Sequence, residues 1–239
     1  MENIISVAGL KKSYGDRVIL DGISFNVEQG SVFGLLGHNG AGKSTTIECI
    51  LGTKDFEKGK ITVLSQDPKT NRKQLFQKIG VQFQNTAYQL KIKVKEICEI
   101  NHSLYKSSSD WRHMLKEFDL ADKSNSFVAN LSGGEQQKLC IILAVMHNPQ
   151  LVFLDELTTG LDPKARRDVW KYIHKLKERG TTIFLTSHFM DEVENLCDKI
   201  TILKHGKILI GGTVQEVIAA SGKHNMDEAF LHFAEEEAK

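Results

Sequence analysis

A glycine-rich loop, GHNGAGKST at residues 37–45, is the most informative stretch of this chain. It matches the pattern G-x-x-x-x-G-K-[ST] in full, with Gly37, Gly42, Lys43 and Ser44 at the fixed positions. The apolar run SVFGLL before it is typical of a buried strand, and TIECILGT after it is typical of a helix. A strand followed by a glycine-rich loop and a helix is expected to present backbone N–H groups that bind phosphate groups.

The chemistry of such a loop assigns a task to each residue. Lys43 would reach the β- and γ-phosphates of a nucleotide, and the Ser44 hydroxyl would bind Mg²⁺. We therefore predict a nucleotide-binding site that also holds Mg²⁺. The predicted cofactor-binding residues of the loop are Gly37, His38, Asn39, Gly40, Ala41, Gly42, Lys43, Ser44 and Thr45.

A second predicted element is a pair of acids at the end of the apolar run LVFLDE, residues 151–156. A phosphate loop needs a carboxylate for its metal at the end of a buried strand, and Asp155 fits that need. Glu156 follows directly and would lie beside the γ-phosphate, where it would accept a proton from an attacking water. Two surface acids at a strand end are common, so the pairing with the phosphate loop carries this interpretation.

Composition excludes several other classes of protein. The 31 Lys+Arg and 30 Asp+Glu nearly cancel, which argues against nucleic acid as a partner. The four cysteines are scattered without a C-x-x-C pair, which predicts reduced and mostly buried thiols. The amino-terminal stretch lacks the pattern of a secretion signal. The longest apolar run, LCIILAVM, is too short to cross a bilayer, which needs about 20 residues.

The order of patterns along the chain predicts an α/β fold. Apolar strands alternate with helical segments, which implies a mainly parallel sheet covered on both faces. The early strands, residues 4–36, include the alternating GISFNV and would add an antiparallel β subdomain. Residues from about 86 to 147 carry helical periodicity and would form an inserted helical subdomain. Residues 1–239 are predicted to be one domain, ending in a short helical tail at about 214–239.

The stretch LSGGEQQKL, residues 131–139, predicts a second anion-binding helix start. Ser132 would cap the helix, while Gly133 and Gly134 would let a ligand approach its free N–H groups. A chain that already has a phosphate loop would then possess two phosphate-binding surfaces.

Taken together, these segments resemble the ATP-binding subunits of ABC transporters over about residues 3–215. The shared segments are KSYGD, the phosphate loop, VQFQN, LSGGE, LVFLDE, TTGLDP and TSH, in the order that the family has them. The resemblance implies a P-loop NTPase fold with a RecA-like core. It also implies that Tyr14 stacks on adenine, Gln84 contacts Mg²⁺ and the attacking water, and His188 holds the γ-phosphate.

The resemblance explains the second phosphate surface. It implies that two subunits meet head to tail, so that Ser132, Gly133, Gly134 and Glu135 close over the ATP held by the partner subunit. Asp162 would join the contact between the two nucleotide domains. ATP binding would then favour the dimer, and hydrolysis would release it.

Three positions depart from the family's usual residues. Leu157 and His38 stand where proline is frequent, and Glu135 stands where glutamine is usual. The acids and Lys43 are intact, so we expect an active ATPase.

The resemblance also implies a separate transmembrane permease, with this chain peripheral to it at the cytoplasmic face of the membrane. The stretch from TTGLDP to KILIGGT looks most like the exporter branch that handles drugs, antimicrobial peptides or lipids. We expect contact with the permease through residues 86–105, a lysine-dotted stretch that Ile92, Val94 and Ile97 interrupt.

Two alternatives remain at this point. One is a soluble ABC ATPase, for example one serving an iron–sulfur assembly complex; the other is a non-catalytic regulatory module, which the intact Lys43, Asp155, Glu156 and His188 disfavour. The other singled-out histidines are interpreted as structural, because nothing pairs them with a ligand or nucleophile. They are His38, His102, His113, His147 and His205.

Overall fold

The computed structural model describes residues 2–82 and 91–235, and its first layer is a three-stranded antiparallel sheet. The strands are β1 (Asn3–Tyr14), β2 (Arg17–Glu28) and β4 (Lys58–Val63), in the order β2-β1-β4. Ile23 and Val27 of β2 are buried while Ser24 and Asn26 are exposed. This alternation confirms the antiparallel subdomain predicted from the period-two pattern.

The second layer is a six-stranded, mainly parallel sheet in the order β5-β6-β7-β3-β8-β9. Its strands are β3 (Val32–Leu36), β5 (Ile79–Gln82), β6 (Leu151–Asp155), β7 (Thr182–Ser187), β8 (Lys199–Lys204) and β9 (Lys207–Thr213). All residues of β3, β6 and β7 are buried. Strands covered on both faces need continuous apolar sequence, which is why these runs were recognisable.

Only the last strand of this sheet runs antiparallel to its neighbour. The stretch KITILKHGKILI forms β8 and β9, and a two-residue turn joins them. Both turn residues, His205 and Gly206, have positive φ, as a tight turn of type I′ requires.

Helices surround the two sheets. They are α1 (Lys43–Ile50), α2 (Arg72–Leu75), α3 (Val94–Ser103), α4 (Trp111–Glu117), α5 (Gly133–Val145), α6 (Pro163–Glu178), α7 (Met190–Leu196), α8 (Val214–Ser221) and α9 (Met226–Glu235). Both α1 and α6 are followed by a glycine in left-handed backbone, Gly52 and Gly180 respectively, which is a common way to end a helix.

The predicted helical segment is confirmed over its described part, residues 91–147. It holds α3, α4, α5 and two short 3₁₀ helices, and its only described strand pairing is an isolated bridge between Lys93 and Phe127. Val94 is fully buried, and Ile92 and Ile97 pack against the core beside it. Val94 therefore belongs to the core, whereas Ile92 and Ile97 are only partly buried. The contact of residues 86–105 with a permease stays a prediction.

Three hydrophobic clusters hold the layers together. One joins the helical segment to α6 and one face of the parallel sheet, and a second fills the space between the two sheets around α1. The third packs α7, α8 and α9 against β3 and β8. The middle of the parallel sheet is thus held from both sides, which fixes the positions of the loops at its edge.

Candidate active site

The strand order brings the predicted functional segments to one edge of the parallel sheet. Strands β6, β7 and β3 are neighbours, with Asp155 opposite Thr186 and Leu36 opposite Ser187. The phosphate loop follows β3, Glu156 follows β6, and His188 follows β7. Because the strands are parallel, the residues after their carboxyl ends lie at the same edge, where ligands bind in open α/β sheets.

The glycine-rich loop curls tightly against its surroundings. Gly42 has φ of 110°, and a Cβ there would lie 2.7 Å from Leu20 Cδ2. A Cβ on Gly37 would lie 2.3 Å from the carbonyl oxygen of Leu203. Side chains are therefore excluded at both positions, and the backbone itself forms the wall of the site.

Lys43 begins α1 and is almost fully buried, at 7% exposure. Its Nζ donates to the carbonyl oxygens of Gly37 at 2.7 Å and His38 at 3.2 Å. Burial lowers the pKa of Lys43, and the negative charges of Glu156 and Asp155 oppose that change. The ammonium group is thus held inside the curl of the loop, close to two acids.

Thr186 positions both acids. Its hydroxyl donates to Asp155 Oδ1 and accepts the backbone N–H of Glu156 at 3.0 Å, and the Thr186 carbonyl accepts the same N–H at 3.2 Å. Glu156 has φ of 52°, a left-handed conformation that is uncommon outside glycine. Sequence analysis missed Thr186, although it stands two residues before the predicted His188.

The loop after Glu156 is anchored in the core. Leu157 is fully buried, and its carbonyl oxygen accepts a hydrogen bond from the side-chain amide of Gln137 on α5. Proline is frequent at this position in the family that the sequence resembles. Here Leu157 packs into the core instead, and a hydrogen bond to its carbonyl oxygen holds its backbone.

A cleft of about 380 Å³ opens in front of the loop. Its walls include Asn39, Gly40, Gly42, Lys43, Ser44, Thr45 and Glu156 from the predictions, together with Arg17 and Ile19, which sequence analysis did not single out.

Tyr14 is not among the residues that line this cleft. It lies opposite Arg17 at the end of the β1–β2 hairpin, is 47% exposed, and has the Lys12 ammonium 4.9 Å from its ring centre.

The His38 side chain packs against the carboxyl-terminal helix rather than lining the cleft. Its ring centre is 5.2 Å from that of Phe230 on α9. Gly37, His38 and Ala41 line a second space of about 300 Å³ beneath that helix. His38 is not among the residues that line the cleft, and its carbonyl oxygen accepts a hydrogen bond from Lys43.

The second predicted phosphate surface is a well-capped helix start. The Ser132 hydroxyl accepts the Glu135 N–H at 3.3 Å, and Glu135 Oε2 accepts the Ser132 N–H at 2.8 Å. The Ser132 N–H bond is the largest reason that the pKa of Glu135 lies below its ordinary value, and the Lys123 ammonium adds to it. A Cβ on Gly133 would meet nothing within 4 Å, so this glycine faces open space.

Neither His188 nor Asp162 is among the residues that line the cleft. His188 is exposed and its ring is 4.1 Å from that of Phe189. Asp162 caps α6 by accepting the N–H groups of Lys164 and Ala165, bonds that also lower its pKa. Gln84 lies outside the described residues.

Cys49 and Cys98 are buried as predicted, whereas Cys140 and Cys197 are partly exposed. All four are free, and burial raises the pKa of Cys49 to about 11 and that of Cys98 to about 12.

Within residues 2–82 and 91–235, no group of three His, Cys, Asp or Glu side chains could hold a metal ion. Across the same ranges, no helix has the length and apolar character that a membrane span requires.

Comparison with known proteins agrees with this geometry. Residues 20–159 match the family described as ABC transporter. The chain is 41% identical over 220 residues to a "Nod factor export ATP-binding protein I" from a Rhizobium species, covering 90% of this chain and 72% of the relative. It is 38% identical over 219 residues to the protein of the same name from Rhizobium johnstonii, covering 90% and 70%.

Solved structures show the same fold. An ATP-binding subunit of an ABC transporter superimposes with a TM-score of 0.88 at 26% identity, covering 96% of this chain and 99% of the other. A nucleotide-free ATP-binding cassette from an ABC transporter superimposes with a TM-score of 0.81 at 23% identity, covering 91% and 96%. The P-loop core, antiparallel subdomain and helical subdomain are therefore an arrangement shared with known proteins.

Proposed function

This chain belongs to the ABC transporter family, and we propose from that starting point how its residues bind ATP, hydrolyse it and pass the energy on. It is an ATP-binding and ATP-hydrolysing subunit that powers export through a membrane partner. The names of its relatives, which denote export ATP-binding proteins, support the exporter assignment. We treat residues 1–239 as one ATP-binding domain.

One observation carries the proposed mechanism: a buried lysine and two acids meet at the edge of the parallel sheet. Lys43 is far in sequence from the adjacent pair Asp155 and Glu156, yet it shares a cleft with Glu156, and the charges of both acids act on its ammonium group. The oxygens that now accept hydrogen bonds from Lys43 belong to uncharged backbone carbonyls. Phosphate oxygens are stronger acceptors for an ammonium group, so a nucleotide would draw Lys43 towards its β- and γ-phosphates.

The donor set also fits Mg²⁺, which prefers oxygen ligands. We assign the ion to the Ser44 hydroxyl and Asp155, with Gln84 as a third ligand. When bound, Mg²⁺ neutralises charge on the phosphates. The Thr186 hydroxyl holds Asp155 in place for this purpose.

Glu156 is proposed as the general base for the attacking water. Its backbone N–H is held twice by Thr186, so the side chain leaves the strand end from a fixed point. It lines the same cleft as Lys43 and Ser44. His188 follows the neighbouring strand and would contact the γ-phosphate, while Tyr14, exposed at the hairpin end, would stack on adenine.

The second phosphate surface is proposed to serve a partner subunit. Ser132, Gly133, Gly134 and Glu135 stand outside the chain's own cleft, and the open space at Gly133 supports contact with another molecule. In the head-to-tail dimer each ATP would lie between one chain's phosphate loop and the other chain's α5 start. Asp162 at the start of α6 would lie in the contact between the two domains.

The decisive experiment is the substitution Glu156→Gln. It keeps the shape of the side chain but removes its ability to take a proton, and loss of a general base slows reactions by about 10²–10⁴-fold. With ATP and Mg²⁺, size-exclusion chromatography should show a dimer that holds two ATP molecules. A Glu156→Gln protein with normal turnover would contradict the general-base assignment.

Matched variants test the second surface. Adding Ser132→Arg or Gly133→Arg to Glu156→Gln should abolish the dimer and leave ATP binding by the monomer intact. Gly133→Arg is the cleaner of the two, because Gly133 faces open space within its own chain and Ser132 keeps its capping role. A dimer that survives both changes would show that α5 does not contact the partner's ATP.

The permease contact is proposed for the end of α3. Ile100 is 51% exposed and Leu104 is 64% exposed, which makes them two of the most exposed large apolar side chains among the described residues. Both fall within the predicted stretch 86–105. This surface would face the permease at the cytoplasmic side of the membrane, and we propose no nucleic acid partner.

A further inference from the structure

The ring of Tyr14 has a charged neighbour that the proposed mechanism does not use. Lys12 stands two residues earlier on β1, and residues two apart on a strand project from the same face. The Lys12 ammonium lies 4.9 Å from the centre of the Tyr14 ring. The face of an aromatic ring is electron-rich and attracts a cation at this distance, so the two side chains form a cation–π pair.

Lys12 is itself held in place by an acid. Its side chain is only 13% exposed, and its ammonium group forms an ion pair with Glu57 Oε1 at 3.4 Å. The other oxygen of this carboxylate, Oε2, accepts the backbone N–H of Ser13 at 2.9 Å. That bond is the largest cause that lowers the pKa of Glu57, so the acid is ionised at neutral pH and attracts Lys12. The cation beside the ring therefore has a defined position.

The ring lies next to the cleft in front of the phosphate loop. Arg17, which is opposite Tyr14 in the hairpin, lines that cleft, and so does Ile19 on the same strand. Tyr14 is 47% exposed, so a large part of its surface is open to a ligand. An exposed side chain without support has to be ordered when a ligand binds, and this ordering costs affinity.

The preceding lysine offers a matched comparison. Lys11 is the next residue along β1 and therefore projects from the opposite face of the strand. Its ammonium group pairs with Asp21 on β2 at 2.7 Å. Lys11 and Lys12 thus bring the same charge to the same strand, but the contact with Tyr14 is made by Lys12.

We propose that Lys12 is a positioning residue for the nucleotide base, because it supports one face of the Tyr14 ring so that the other face stacks on adenine. This inference rests on the proposed stacking role of Tyr14. Lys12 itself does not touch the nucleotide. Its charge orients the ring before the base arrives, which lowers the cost of ordering the side chain on binding. It also draws electron density from the open face, which favours stacking on an electron-rich purine.

The test measures ATPase kinetics of the full chain with Mg²⁺, together with inhibition by tripolyphosphate, which carries phosphates but no base. Lys12→Gln removes the positive charge and keeps an N–H donor for Glu57, whereas Lys12→Arg keeps a cation next to the ring. Lys11→Gln is the matched control, because it removes the same charge from the opposite face of β1. Tyr14→Ala removes the ring itself.

Lys12→Gln should raise KM for ATP by about 2–5-fold, which corresponds to the strength of one exposed cation–π contact, while kcat changes less than about twofold. The inhibition constant of tripolyphosphate should stay the same, because this ligand has no base to stack. Lys12→Arg and Lys11→Gln should both keep the KM of the natural protein. A normal KM in Lys12→Gln, an equal rise in Lys11→Gln, or an equal weakening of tripolyphosphate would overturn the inference.

Tyr14→Ala separates this inference from the proposed function. If Tyr14→Ala raises KM for ATP and Lys12→Gln does not, only the role of Lys12 is refuted. If Tyr14→Ala keeps the KM of the natural protein, the proposed stacking of Tyr14 on adenine fails as well.

Discussion

We expect His147 to make the free energy of unfolding of this protein depend on pH, and we expect the substitution His147→Gln to remove that dependence. The side chain follows α5, is 5% exposed, and its ring stacks on Tyr105 at 3.8 Å between centres. Nε2 lies 3.2 Å from the carbonyl oxygen of Ile79 and donates to it in the neutral ring. Nδ1 is buried and, among the described residues, has no hydrogen-bond partner.

Burial is the main cause that lowers the pKa of His147 from 6.5 to about 4, and the bond to Ile79 opposes it. The unfolded chain therefore binds a proton at this residue more readily than the folded protein does. Its contribution to stability is complete above the unfolded pKa and is lost as pH falls from about 6.5 towards 4. Each pKa unit corresponds to about 1.4 kcal/mol, so the full effect is about 3 kcal/mol, most of it reached by about pH 4.5.

Urea unfolding at about pH 7 and pH 4.5 measures this effect against His147→Gln, which does not titrate and still offers an N–H to Ile79. The loss of unfolding free energy between the two pH values should be about 2 kcal/mol smaller in the variant than in the natural protein. Titrating carboxylates are common to both proteins and cancel. His113→Gln, at an exposed position of α4, controls for the removal of a histidine. Equal pH dependence in the natural protein and His147→Gln would refute the reasoning.

Three further variants test the site, the packing and the membrane contact. Lys43→Ala should abolish ATPase activity and leave the circular dichroism spectrum unchanged, because it removes the cation facing the phosphates; normal turnover would overturn the phosphate-loop assignment. Gly80→Ala should lower the free energy of unfolding by about 1–3 kcal/mol, because its Cβ would lie 1.9 Å from the Ala144 carbonyl oxygen. Gly133→Ala is the control, since a Cβ at Gly133 would contact no atom within 4 Å. Equal stability of the two variants would contradict the packing argument. Ile100→Ser with Leu104→Ser should uncouple transport while basal hydrolysis continues; crosslinks from these positions that never reach a membrane protein would count against the contact.

The parts of the fold that could be predicted are those with a local signal. The phosphate loop, the buried strands and the glycines after α1 and α6 each show their structure within a few residues. The two acids at the end of β6 are recognisable because a phosphate loop requires a carboxylate at such a strand end.

The parts that escaped prediction depend on contacts between distant segments. Thr186 holds Asp155 and Glu156 only because β6 and β7 pair in one register, which no local pattern reveals. Glu192 lies in the charged sequence MDEVENL and so resembles a solvated helix face, yet it is fully buried. Val94 stands between lysines, and the surrounding charge concealed its place in the core.

The left-handed backbone at Glu156 determines how a mutation to glycine at this position would affect a cell that also carries the natural gene. For a residue with a side chain this conformation costs about 1–2 kcal/mol, and glycine adopts it freely. A Glu156→Gly change would therefore relieve strain while it removes the proposed base. The product would be an inactive protein that is no less abundant than the natural one, and it would keep the surfaces that we propose for the permease and for a second copy. Such an allele would interfere with a functional copy in the same cell, so its effect would be dominant.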